Sequence, residues 1–175
     1  MINRERVLQE FFELVSIRCS THKEREMGDL LTKRLQKLGG TVHEDKAGEA
    51  LGGNCGNLVA DFPATEGQED RPTVMLTAHM DCVEPCADIH PIRENGIIRS
   101  DGTTILGADD KAGGTAILEA LRQLRERALP HGPLQGGFTI AEENGVHGSQ
   151  QLDSSLLHAD MGFTFDTHGH PGVMS

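Results

Sequence analysis

Residues 73–81 read Thr-Val-Met-Leu-Thr-Ala-His-Met-Asp. The run is apolar without clean alternation, as in a strand covered on both faces, and it stops on a histidine two residues before an aspartate. Three other short runs, 57–62, 138–141 and 162–165, have the same character. Helical repeats lie around them. Val7, Phe11, Leu14 and Val15 fall on one stripe, and Met27, Leu30, Leu31, Leu35 and Leu38 on a second. Ala116, Ala120, Leu121 and Leu124 fall on a third, over 111–127. Gly39-Gly40 closes the second helix and Pro130 lies just past the third. Glu94-Asn95-Gly96 reads as a hairpin turn. Helices alternating with strands predict an α/β fold, with a mostly parallel sheet flanked by helices on both faces.

In such sheets a ligand sits outside the carboxyl ends of the strands, so the polar residues that follow each run carry the most information. After 73–78 come His79 and Asp81, an imidazole able to bind metal and a carboxylate able to orient its other ring nitrogen. Gly107-Ala108-Asp109-Asp110-Lys111-Ala112-Gly113 opens the third helix. Its two acids fit a helix cap as well as they fit a metal ligand flanked by small residues. After 138–141 comes Glu142-Glu143. Adjacent glutamates on an extended backbone point apart, which suits one to hold metal and the other to move a proton. Asp166 follows 162–165. Oxygen ligands joined by one or two histidines suit zinc, manganese or cobalt.

Bulk properties narrow the function. The 175 residues suffice for one domain with a sizeable core. With 27 acidic against 16 basic residues the formal charge is -11, and there is no Trp or Tyr. Nucleic acid and anionic membrane are therefore poor partners. No apolar run is long enough to span a membrane, and Glu5, Glu10 and Glu13 break any signal-peptide core, so a cytoplasmic location is expected. Cys19, Cys55, Cys82 and Cys86 have no zinc-finger spacing and read as reduced thiols.

The ordered set HMD, GADDKAG, EE and a lone Asp resembles the M20 metallopeptidase family. The stretch SDGTTILGADDKAG at 100–113, with Pro130-His131-Gly132, is most similar to its peptidase T-like, tripeptide-aminopeptidase branch. The resemblance implies that His79, Asp109 and Asp166 hold one divalent ion, zinc above manganese or cobalt. Asp109 would bridge to a second ion held also by Glu143. Glu142 would be the general base, Asp81 would orient His79, and the Asp109–Asp110 peptide would be cis. It further implies hydrolysis of short peptides at the N-terminal residue, and a homodimer as a possible assembly. A carboxypeptidase or an N-acyl amino acid deacylase of the same family is the nearest alternative, and a non-catalytic metal-binding fragment the alternative of another class. The family's last ligand, a late histidine, and its inserted lid or dimerisation domain have no counterpart here, so residues 1–175 are expected to be the amino-terminal portion of the catalytic domain. His131, His168 and His170 are read as loop histidines rather than ligands.

Overall fold

A computed structural model describes residues 2–167. The chain opens with α1 (Arg4–Val15), capped by Asn3, whose side chain accepts from the Arg6 amide at 3.2 Å. Then follow α2 (Arg25–Lys37), β1 (Thr41–Glu44), α3 (Ala47–Leu51), β2 (Leu58–Phe62) and β3 (Val74–His79). A hairpin comes next, β4 (Pro91–Glu94) and β5 (Ile97–Ser100), turning on Asn95 and Gly96 at φ 51° and 79° as its sequence predicts. The chain ends with α4 (Lys111–Glu126), β6 (Leu134–Thr139), α5 (His147–Gln150), a 3₁₀ turn at Ser154–Leu156 and β7 (Met161–Thr164). Among the described residues no helix is long and apolar enough to cross a membrane.

Five strands form one sheet in the order β1-β2-β6-β3-β7. The β6, β3 and β7 pairings are parallel, and β2 runs against β6 and β1. β2 alone is reversed, so the expectation of a mostly parallel sheet holds. Helices lie on both faces, but unequally. α1, α2 and α4 cover one face, where Leu14, Leu35 and Leu118 pack with Leu58, Ala60, Phe62 and Phe138. Burying each of the Leu and Phe side chains among these stabilises the fold by about 1.5–3 kcal/mol. Among the described residues the other face carries the short α5 and the segment after it, and β7 is exposed along its length.

One strand departs from its expected position. The 138–141 run is only the end of β6, which begins at Leu134. Its centre is Gly136-Gly137, a pair with no strand signal of its own. A Cβ on Gly137 would lie 2.4 Å from Met75 Cε, the movable end of that side chain, which would have to shift to admit it. The chain leaves the ladder at Ile140, whose amide donates to the buried Asn57 side chain at 3.0 Å. Glu142-Glu143 therefore sit on a turn rather than on the extended backbone expected of them.

Candidate metal centre

His79 is the last residue of β3 and is buried. Its Nε2 lies 3.3 Å from Asp109 Oδ1 and 4.0 Å from Glu142 Oε2, and its Nδ1 lies 3.3 Å from Asp81 Oδ1. The two nitrogens thus have separate partners: Asp81 on the protein side, and the acids of an open cluster on the other. Burial opposes a charge on this ring, yet Asp81 and Asp109 outweigh it and raise the pKa to about 9.

Asp81 is fully buried and holds more than the histidine. Its Oδ1 accepts from the Glu142 amide at 2.9 Å, and its Oδ2 from the Glu143 amide at 3.3 Å and the Thr21 hydroxyl at 2.7 Å. Burial works against its charge, but His79, the Glu142 amide and Thr21 hold the carboxyl below its usual range.

Asp109 and Asp110 divide the two readings of their motif. Asp110 caps α4, accepting from the Gly113 amide at 3.0 Å, and burial pushes its carboxyl up to about 7. Asp109 turns outward, its side chain 73% exposed, toward His79. The peptide between them is cis, as the resemblance implied. Asp166 lies two residues beyond β7 and shares a shallow cavity with Asp109, Asp110 and Phe165.

Two sets of ligand atoms fall within 4.8 Å of one another: His79, Glu142 and Asp166, and His79, Asp109 and Glu143. The expected residues converge, although the grouping differs from the expected one, which put Asp109 and Asp166 together on the first ion. His168 and His170 lie outside the described residues. Among the described residues no Lys or Arg pairs with Asp81, Asp109, Asp110, Glu142 or Glu143. Lys111 is buried beside the Cys19 and Cys82 thiols instead. All four cysteines are free and buried, as expected. A histidine facing this many acids, with no basic side chain to balance them, is a donor set that fits divalent cations.

Sequence reasoning missed two residues here, Thr21 and Glu24. Glu24 is 0% exposed, and its Oε1 accepts from the amides of His22 at 2.9 Å and Ala141 at 3.2 Å. Burial raises its pKa, against those two backbone bonds.

A family model described as peptidase family M28 matches residues 57–173, which include every site residue named from the motifs. The chain belongs to peptidase family M28. The uncharacterized protein YqjE of Bacillus subtilis (strain 168) is 40% identical over 98% of this chain and 46% of its own length. Aminopeptidase PepT from Bacillus cereus ATCC 10987 superposes with a TM-score of 0.92 and 42% identity over 96% of this chain and 44% of its own. A tripeptidase from Staphylococcus aureus subsp. aureus mu50 does so with a TM-score of 0.91 and 42% identity, over 97% and 45%. This M28-family chain spans about half the length of the relatives it matches.

Proposed function

We propose that this M28-family chain supplies the amino-terminal part of the active site of a metal-dependent aminopeptidase that removes the N-terminal residue of short peptides, a peptidase T-like activity in keeping with the resemblance of its motifs to family M20. The observation that carries this reading is the convergence of His79 with Asp109, Glu142, Glu143 and Asp166 at the carboxyl edge of the sheet, within ligand distance of one another in two overlapping sets. The likeness to an aminopeptidase PepT and a tripeptidase, at 42% identity each, favours the tripeptide over other substrates.

His79, Asp109 and Asp166 are assigned to one ion, and Asp109 and Glu143 to a second that needs a further histidine. Zinc is the first choice, with manganese or cobalt able to replace it. Such ions would activate a water and polarise the scissile carbonyl. Glu142, as the general base, would take a proton from the attacking water and deliver it to the leaving amine. Asp81 holds His79 and both glutamate amides in place. A cytoplasmic homodimer is the proposed setting.

The test is release of the N-terminal residue from tripeptides by the full-length protein, with and without added Zn, Mn or Co. Metal-dependent release supports the reading. Cleavage of N-acyl amino acids with tripeptides left intact would replace it by the deacylase alternative.

A further inference from the structure

The turn that carries Glu142 is held by its backbone. Three successive amides, those of Ala141, Glu142 and Glu143, donate to two buried carboxylates, the first to Glu24 and the others to Asp81. Ala141 sits at φ 49°, a left-handed conformation that a residue with a Cβ adopts only when its surroundings impose it.

Glu24 occupies the N-cap position of α2, yet its side chain makes no cap bond there. The chain reaches it through His22, also left-handed at φ 70°, and the carboxylate points across the molecule at Ala141. Among the described residues it has no Lys or Arg partner, and its Oε2 makes no hydrogen bond. A buried acid with no counter-charge is costly, so an apolar or amide side chain would serve better if only packing were at stake.

We propose that Glu24 is a positioning residue for the general base, fixing the Ala141 amide so that the Ile140–Ala141 peptide plane, one unit before the plane that Asp81 holds at Glu142, cannot rotate. The inference rests on the assignment of Glu142 as the base. With both the Ala141 and Glu142 amides anchored, the Glu142 carboxylate stays beside His79 Nε2, 4.0 Å away. Without Glu24 the turn keeps Asp81's hold on Glu142 and Glu143 but gains rotation at Ala141. The base drifts while the ligands stay.

Two readouts test this. In the 175-residue chain, Glu24→Ala is expected to speed hydrogen exchange at the Ala141 amide at least ~10-fold, and Glu24→Gln, which keeps an acceptor oxygen, to leave it within ~3-fold of the parent. In the full-length protein, Glu24→Ala is expected to lower kcat about 10–100-fold with KM and metal content nearly unchanged, and Glu24→Gln to restore most of the loss. If Glu24→Ala fails to fold, Glu24→Asp, one methylene shorter, is expected to show the same kcat loss with metal retained. Parent-like kcat in the Ala or Asp variant, or a kcat loss that only follows loss of metal, overturns the proposal. Glu142→Gln measured alongside separates the two claims. Full activity there overturns the base assignment and this inference with it, whereas loss there with parent-like Glu24 variants overturns the inference alone.

Discussion

Between α1, α2 and α4, Glu10 and Glu119 are nearly buried and each meets two guanidinium groups. Glu10 takes Arg34 at 2.9 Å and Arg122 at 2.7 Å, and Glu119 takes Arg6 at 2.8 Å and Arg122 at 3.3 Å. At the carboxyl edge of the sheet, Asp81, Asp109 and Glu142 share one histidine. The first region satisfies its charges from within the chain. The second gathers acids around a ring whose Nε2 faces them, with no Lys or Arg paired to Asp81, Asp109 or Glu142 among the described residues, an arrangement that a divalent cation would offset. Burial of acids alone therefore does not separate the two regions. The presence or absence of a basic partner does.

The contrast is sharpest in the effect of substitution. In the full-length protein Glu142→Gln is expected to cut turnover roughly 10²–10⁴-fold with metal content unchanged, because the proposed function assigns Glu142 to proton transfer and not to an ion. Glu143→Gln is expected to lose activity and the second ion together, so metal analysis of the two purified variants distinguishes the roles. Equal metal contents would merge them.

Stability should respond in opposite senses in the two regions. Arg122→Met strips a partner from both Glu10 and Glu119 and is expected to cost about 1–3 kcal/mol in urea unfolding, with metal uptake unaffected. Glu143→Gln removes a charge whose pKa burial and neighbouring acids raise, and is expected to stabilise the metal-free chain by up to about 0.5 kcal/mol after solvent screening. A destabilised Glu143→Gln would mean that its charge is already balanced.

The pH dependence follows the same division. Asp110, raised by burial to about 7, contributes stability below its unfolded value near 3.8 and loses it as pH rises through 7. His79, raised to about 9, contributes below about 6.5 and loses that as pH rises through 9. The metal-free chain should thus become less stable from pH 5 to 9 at this site. Zinc should reverse the trend, because proton and ion compete for His79. Glu119, held low by Arg6 despite burial, acts the other way, and its contribution is lost as pH falls below its unfolded value. Thermal melts with and without zinc across this range would show a gap that widens with pH. The smallest effect belongs to the exposed Arg18–Glu84 pair, where Arg18→Ala should leave the melting temperature unchanged within the error of the melts.

Much of the site was legible because its residues lie at the ends of apolar runs that are strands, as His79 ends β3 and Asp166 comes two residues after β7. The rest depended on contacts that no local pattern encodes. β1 is a four-residue edge strand, largely exposed, with no apolar alternation. The extent of β6 is hidden by Gly136 and Gly137 at its centre, which have no strand preference of their own. Glu24 at the head of a helix reads as a complement to the helix dipole, and its partner Ala141 lies 117 residues away. Thr21 is likewise tied to Asp81 only through the fold.

Calorimetric titration of zinc into the metal-free 175-residue chain tests the metal reading most directly. The expected result is one tight site, at a stoichiometry of about one, with a proton released on binding and the site lost in His79→Ala and Asp109→Asn. No saturable binding, or binding that survives both substitutions, would contradict it.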